Sequence, residues 1–257
     1  MTWPIPDPTG TLLVLARIAG LVLTAPLLAH ALVPARARAG LVGVLALAIA
    51  PVAAVELPSD PGLLPFAGAI AVETLVGAAL GFVAQLVFAG VQLGGQIAGM
   101  EIGFGMANLL DPQSAQQSTV VAEWEQLLAL LAYLALDVHH VLIAALVESF
   151  RVAPAGTALL GGELLRGVGM RGAELFAIGV RIAAPVLIVL LLVNATLGVL
   201  ARTIPQLNVF VVGFPVNVGV GLVVLGASLP FTFRFLAERF AELGAVLGWM
   251  LRGIGHG

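Results

Sequence analysis

Long apolar segments separated by short polar linkers dominate this sequence, and they restrict its fold more than any other feature. A helix that spans a lipid bilayer needs roughly 20 apolar residues, and three or four of the segments reach that length. The chain is 60% hydrophobic and only 10% charged, whereas soluble domains contain about 25% charged residues. We therefore expect an all-α integral membrane protein with long kinked helices and helical hairpins. The apolar segments are Leu12–Ala31, Leu41–Val55, Leu63–Val91, Leu127–Val147, Leu175–Leu200 and Val209–Phe231.

These segments predict a single membrane domain over residues 1–257, because the linkers contain no soluble domain and the sequence shows no convincing tandem repeat. We expect an N-terminal tail at residues 1–10 and a helical core at residues 11–230. Residues Thr11–Leu28 resemble the apolar part of a signal peptide, but Asp7 and the lack of a preceding basic residue are atypical of one. We therefore expect this stretch to be retained as the first membrane helix.

The end of the chain, residues 231–257, predicts an amphipathic C-terminal helix. Apolar residues recur there near helical spacing, with charged residues between them. Glu238 follows Arg234 by four residues and Glu242 follows Arg239 by three, so each pair can interact on one face of the helix. Such a helix lies at a membrane surface or packs on a partner, and both alternatives are open.

Missing residue types exclude several classes of enzyme. The eleven basic residues are all arginine, so the chain cannot supply a phosphate-loop lysine or a Schiff base. The absence of cysteine excludes a disulfide, a thiolate nucleophile and a thiolate metal site. The net charge of -3, without a basic patch, argues against nucleic acid as a partner. We expect no catalytic residue, no cofactor and no metal.

Two polar clusters resemble sites, but each has a simpler interpretation. Adjacent histidines are expected on different helix faces, so Asp137, His139 and His140 predict a polar turn between hairpin arms rather than a metal site. Glu123 and Glu125 lie two residues apart and should diverge on a helix. We interpret them as solvated residues near a helix start, where the helix dipole favours carboxylates.

Charged residues inside apolar segments are more informative. Arg17, Glu73 and Arg181 each interrupt such a segment, and intramembrane charges usually face a bundle interior or an aqueous cavity. One hypothesis is that Glu73 pairs with Arg17 or with Arg181, or that these residues line a conduit. The alternative is that the arginines extend to the membrane interface. The sequence supports both equally.

A glycine-rich stretch, Gly90–Ser118, lies between two apolar segments and contains six glycines. Gly90 and Gly94 are four residues apart, as are Gly95 and Gly99. Spacing of this kind predicts a helix ridge without side chains, along which a second backbone can approach closely.

The second half of this stretch no longer fits a helix. The pattern fails after Gly103, and Pro112 disfavours helical geometry at Asp111. We expect a loop over residues 99–118, and we expect this loop to be where the protein acts.

Three motifs follow one another along the chain: GGQIAGMEIGFGMANLLDPQS at 94–114, LALDVHHVLIAALVESFRVAP at 134–154 and ARTIPQLNVFVVGFPVNVGVGL at 201–222. Together they resemble the motifs of the FliR/SctT family of type III secretion export gate subunits. The resemblance covers essentially the whole chain, in length, segment order and motif order.

The resemblance implies a fold similar to the partner subunits FliP and FliQ joined together. It also implies that one copy of the chain assembles with several FliP and FliQ copies into a cone-shaped gate that engages FlhB. Such a gate passes unfolded flagellar proteins across the bacterial inner membrane, at the flagellar basal body. Its energy would come from other subunits, so the resemblance implies a multi-pass membrane component that is not an enzyme.

The resemblance also implies roles for particular residues. The loop from Gly99 to Ser118 corresponds to the family's plug, in which Phe104 and Met106 would be apolar stoppers. The implied plug and gating residues are Gly99, Met100, Gly103, Phe104, Gly105, Met106, Asn108, Asp111 and Pro112. The residues expected in subunit packing are Gly90, Gly94, Gly95, Arg202, Pro205, Gln206, Asn208, Phe214 and Pro215.

Two alternatives remain at this stage. Relatives from virulence secretion systems often carry a lysine near the position of Asn217, and its absence here favours a flagellar role. A secondary transporter of a small solute would use helices broken at Pro185 and Pro215. Such transporters usually show internal repeats, which this sequence lacks.

Overall fold

The structure is a computed structural model that describes residues 8–29, 33–51, 53, 55–56, 62–105, 118–158, 162–204 and 208–254, without the side chains of 162–165, 209 and 210. Seven helices account for most of these residues, and an isolated bridge between Val55 and Ala155 is the only β pairing among them. The all-α prediction is confirmed. The helices are α1 (Pro8–Thr24), α2 (Ala35–Ile49), α3 (Leu63–Ile102), α4 (Val120–Ala135), α5 (Val138–Val152), α6 (Gly162–Thr203) and α7 (Val209–Ile254).

Three of the described helices, α3, α6 and α7, are long and apolar enough to cross a membrane. The pair α4 and α5 would form a fourth span if taken together, and it bends by 63° at the break between the two helices. The integral membrane class expected from hydropathy is therefore confirmed.

The bounds of α3 and α7 differ from the sequence-based expectation. Helix α3 continues to Ile102, so Gly99 and Met100 are helical and do not belong to the loop expected from residue 99. Helix α7 runs without interruption from Val209 to Ile254, so residues 231–254 are not a separate C-terminal helix. The amphipathic pattern changes at residue 231, but nothing in the sequence there stops the helix.

The interior prolines do not end their helices. Pro185 lies inside α6, and Pro215 and Pro230 lie inside α7. Proline removes one backbone hydrogen bond and strains the preceding turn, yet both helices continue on either side of their prolines.

The first of two compact units contains residues 1–86, 133–172 and 239–257. Its central contact is the crossing of α1 with α3, where backbones touch. A Cβ atom on Gly77 would overlap the carbonyl oxygen of Arg17, and one on Gly20 would overlap the carbonyl oxygen of Thr74. Thr24 Oγ1 donates a hydrogen bond to the Ala78 carbonyl at 3.0 Å. Small residues at helical spacing are what permits this approach.

The second unit contains residues 87–132 and 173–238. Within it, α6 and α7 run antiparallel, since Asn217 Nδ2 donates to Asn194 Oδ1 at 2.9 Å and Gly213 faces Leu197. The end of α3 and the start of α4 pack with these helices around one buried apolar cluster. The cluster consists of Ala98, Ile102, Val121, Val186, Leu190 and Leu225.

Candidate functional site at the base of residues 106–117

The C-terminus of α3 is closed by a Schellman motif. The Phe104 N–H donates to the Gly99 carbonyl at 3.0 Å, and the Gly103 N–H donates to the Met100 carbonyl at 3.1 Å. Gly103 has φ = 112°, a conformation that side-chain-bearing residues rarely adopt. The helix therefore stops at a position fixed by one glycine, as the failing helical pattern after Gly103 predicted.

Phe104 follows this cap and packs against the buried cluster around Ile102. The hydrophobic residue just after a Schellman glycine commonly makes such a contact with the last helical turn. Phe214 of α7 lies on the other side of the cap, where a Cβ atom on Gly103 would come within 3.0 Å of its ring. Phe104 and Phe214 thus both contribute to the end of α3.

The chain re-enters a helix at Thr119, which caps α4. The Ala122 N–H donates to Thr119 Oγ1 at 3.2 Å, the usual geometry of an N-cap threonine. Thr119 Oγ1 also donates to the Gly95 carbonyl at 3.2 Å, and a Cβ atom on Gly99 would overlap the Thr119 side chain. Thr119 thereby attaches the start of α4 to the last turns of α3. We call residues 95–105 together with 118–125 the loop base.

Glu125 is the unexpected residue of the loop base. We expected it to be solvated, and this is wrong: Glu125 is 2% exposed, whereas Glu123 in the same helix is exposed. The reason is that Thr119, Ala122 and Glu125 share the α4 face that packs on α3. A Cβ atom on Gly95 would lie 3.0 Å from Glu125 Oε2. This oxygen is buried without a hydrogen-bond partner among the described residues.

The glycine ridge predicted from spacing is present on α3 and faces two helices of the same unit. Cβ atoms on Gly90 and Gly94 would come within 2.8 Å and 2.9 Å of atoms of α6. Gly95 faces α4, where a Cβ atom would lie 2.5 Å from Ala122 Cα. These contacts lie within one chain, so the roles of Gly90, Gly94 and Gly95 between subunits stay predictions.

Only some of the residues expected to form the plug lie within the described structure. Gly105 lies near the Met100 side chain, and Met100 is 59% exposed. Met106, Asn108, Asp111 and Pro112 lie outside the described residues. The plug assignment stays a prediction.

The intramembrane charges include one buried ion pair, between Arg17 of α1 and Glu73 of α3. Arg17 Nε lies 2.5 Å from Glu73 Oε2, and both side chains are almost fully buried. Arg17 Nη1 donates to the carbonyls of Ser149 and Ala153 at 2.8 Å and 3.0 Å. Glu73 Oε1 accepts the Gly156 N–H at 2.9 Å. Of the two hypothetical partners of Glu73, the structure selects Arg17.

The other described residues that were assigned as intramembrane charges or to subunit packing lie on α6, on α7 or at the cap of α7. Arg181 and Arg202 are exposed, and Asn208 Oδ1 accepts the Val211 N–H at 3.3 Å, capping α7. Phe214 is 49% exposed and Pro215 is also exposed. Their packing between subunits stays a prediction, and Pro205 and Gln206 lie outside the described residues.

The polar turn at residues 137–140 is present, but its side chains do not diverge as expected. Asp137 has φ = 53° and connects α4 to α5. The His139 and His140 rings lie 4.1 Å apart, and one ligand atom from each residue of the trio lies within 4.8 Å of the others. Side-chain rotation at a helix start brings neighbours together, which helical spacing alone does not show.

Thr119 was missed and Glu125 was misassigned from the sequence, although a signal for each was present. Thr119 stands directly before an apolar helical run, the usual place of an N-cap. Glu125 continues the three-residue spacing of Thr119 and Ala122, which marks it as part of the packed face rather than the solvated face.

Comparison with known proteins identifies the family of this chain. The sequence matches bacterial export proteins, family 1, over residues 9–243. It is 36% identical to the flagellar biosynthetic protein FliR of Escherichia coli (strain K12) over 232 residues, which cover 89% of this chain and 87% of that protein. The protein of the same name from Bacillus subtilis (strain 168) is 35% identical over 237 residues, covering 90% of each chain. The FliR of Caulobacter vibrioides is 31% identical over 232 residues, covering 90% of this chain and 92% of that protein. The chain therefore belongs to the FliR family of bacterial export proteins.

Proposed function

We propose that this chain forms part of a channel that passes unfolded flagellar proteins across the bacterial inner membrane, and that its Gly-rich loop closes the channel. Membership of the FliR family makes the chain a component of the flagellar export apparatus. The channel, the plug and the inner membrane location belong to the proposal. So do the partners FliP, FliQ and FlhB.

The construction of the loop base supports the plug. A stopper that moves needs fixed attachment points, and both ends of residues 106–117 have one. Gly103 and Phe104 fix the exit from α3 through the Schellman motif, and Thr119 fixes the entry into α4 through its cap and its bond to Gly95. Rearrangement of residues 106–117 therefore does not require either helix to unwind.

The surfaces of α6 and α7 support assembly with other subunits. In the most apolar windows of these helices, only 33% and 22% of residues are buried within this chain. The Asn194–Asn217 pair is exposed there, and Gly198, Gly219 and Gly226 have open space where a side chain would be. Amide groups and small residues on spanning helices are typical of helix–helix interfaces. We propose that FliP and FliQ cover these faces.

The plug is tested by replacing residues 106–117 with a Gly/Ser segment of equal length. We expect the variant chain to co-purify with its partner subunits, while cells carrying it become permeable to ions or small solutes and lose viability in high salt. The matched control replaces residues 57–61, which connect α2 to α3, in the same way. Intact permeability barriers in a correctly assembled 106–117 variant would refute the plug. Isolation as a monomer or dimer that binds a small solute would favour the transporter instead.

A further inference from the structure

The turn between α4 and α5 brings three metal-ligating side chains together in the first unit. Asp137 Oδ1 lies 3.4 Å from His140 Nδ1 and 4.0 Å from His139 Nε2. Tetrahedral zinc ligands lie about 2.0–2.2 Å from the ion, so they are about 3.3–3.6 Å from one another. The Asp137–His140 distance already has this value, and a small side-chain rotation would bring His139 to it.

The Asp137 carboxylate interacts with the histidines rather than with the helix that it precedes. Asp137 is the N-cap residue of α5, but its side chain makes no capping hydrogen bond. An N-cap aspartate usually accepts a hydrogen bond from the second or third N–H of its helix. Among the described residues, the ionic contacts of this carboxylate are with the two imidazoles. Its oxygens are therefore available as ligands.

Packing holds the His139 ring in place. Its centroid lies 6.3 Å from that of Tyr133, a buried residue that packs edge-on against Phe240. His139 Nδ1 is buried without a hydrogen-bond partner among the described residues, so Nε2, on the side of Asp137, is the nitrogen that can bind an ion. The side chains of Asp137 and His140 are 70% and 68% exposed, which leaves a fourth position open to water. Three protein ligands and one water form a common zinc coordination sphere.

We propose that Asp137, His139 and His140 bind a divalent transition metal ion, with zinc as the best match. Imidazole and carboxylate donors suit zinc, whereas magnesium and calcium prefer sites made of oxygen atoms alone. All three ligands lie within residues 137–140, so the ion would stabilise the first turn of α5, at the 63° bend between α4 and α5. Helical spacing argued against a metal here, and the side-chain rotamers remove that objection. This site is independent of the proposed channel and plug.

The test measures zinc binding by the full-length chain, purified in mild detergent through an affinity tag without histidine. Zn²⁺ is titrated in competition with a chromogenic chelator. We expect one ion per chain, with a dissociation constant on the order of 1 µM, because a site with three ligands binds more weakly than a closed structural site. Zn²⁺ should also raise the thermal unfolding midpoint, since it binds the folded chain. Co²⁺ in the same site should show the visible absorption of nitrogen and oxygen coordination.

Variants at the exposed ligands separate metal binding from folding. Asp137→Asn and His140→Gln should each weaken zinc binding by at least about tenfold, because the loss of a ligand costs no less than the loss of a group that orients one. Asparagine tolerates the left-handed backbone of residue 137, so Asp137→Asn should fold as the parent does. The matched control is the double variant His30→Gln/His256→Gln, which replaces the other two of the four histidines. It should change the affinity by less than about twofold.

Four results would overturn the site. The first is the absence of saturable binding up to about 100 µM Zn²⁺. The second is an affinity equal to that of the parent in His140→Gln or Asp137→Asn, and the third is a tenfold loss in the control variant. The fourth is displacement of Zn²⁺ by an equal concentration of Mg²⁺ or Ca²⁺, which would indicate unselective binding to a carboxylate.

Discussion

Two buried glutamates, one in each unit, lie on closely packed helices but have opposite environments. Glu73 is 1% exposed, and both of its carboxylate oxygens are bonded, one by Arg17 and the other by the Gly156 N–H. Glu125 is 2% exposed, and its Oε2 has no partner among the described residues. The two differ not in depth but in the donors that surround them.

The region around Glu73 is held by an ion pair, whereas the loop base around Glu125 is held by neutral hydrogen bonds. The Arg17–Glu73 pair ties α1 and α3 to the end of α5 through the backbone of residues 149–156. At the loop base, Thr119 supplies neutral hydrogen bonds, and Glu125 faces a glycine. We expect the α1–α3 crossing to determine the stability of its unit, and the loop base to tolerate rearrangement at lower cost.

The largest effect is expected where the α1–α3 backbones touch. Gly77→Val places a side chain into the Arg17 carbonyl, and backbone cannot move aside as a flexible side chain does. The loss should exceed about 5 kcal/mol, so that little monodisperse protein is recovered in mild detergent. Gly68→Val lies on the same helix with nothing within 4 Å and is the control. Equal yields of the two variants would mean that the crossing does not determine stability.

Breaking the ion pair should cost slightly less. Arg17→Met leaves Glu73 buried without its charged partner, a change worth about 3–5 kcal/mol. The double variant Arg17→Met/Glu73→Gln removes the orphaned charge and should recover at least about 1 kcal/mol of the loss. Thermal unfolding midpoints of the single and double variants check both values. A double variant less stable than Arg17→Met would contradict the view that unpaired charge is the main penalty.

A smaller effect is expected at the cap of α3. Gly103→Ala places a side chain at φ = 112° and should cost about 1–3 kcal/mol. Gly105→Ala is the control, because the nearest atom to its Cβ would be Cγ of the flexible Met100 side chain, at 3.3 Å. The two variants are compared by thermal unfolding and by proteolysis of the 106–117 segment. Equal stability would show that Gly103 does not hold the end of α3.

The sequence predicted those features that depend on local pattern. Hydropathy identified the spanning helices, and the failing pattern after Gly103 located the end of α3 within one residue. Spacing showed that α3 carries a glycine ridge. It did not show that the ridge would be shared between α6 and α4, because the choice of neighbour is made by the tertiary fold.

Features that depend on tertiary neighbours were not predictable in this way. Glu73 had two possible arginine partners, and only the position of α1 against α3 selected Arg17. Glu125 was taken for a solvated residue because its burial requires knowing which face of α4 packs on Gly95. The histidines of the 137–140 turn converge through their rotamers, which sequence spacing does not contain.

The same substitution at both glutamates compares their environments directly, and at Glu125 we expect the smallest effect on stability. Glu73→Gln removes the charge that Arg17 requires and should cost about 3 kcal/mol. Glu125→Gln removes a charge that no described residue compensates and leaves a neutral side chain of nearly the same size. Its stability should therefore stay within about 1 kcal/mol of the parent, or rise. Thermal unfolding of both variants in the same detergent measures the contrast. If Glu125→Gln lost as much stability as Glu73→Gln, the Glu125 carboxylate would have to accept hydrogen bonds that a neutral amide cannot replace. That result would weaken the argument that the loop base rearranges easily.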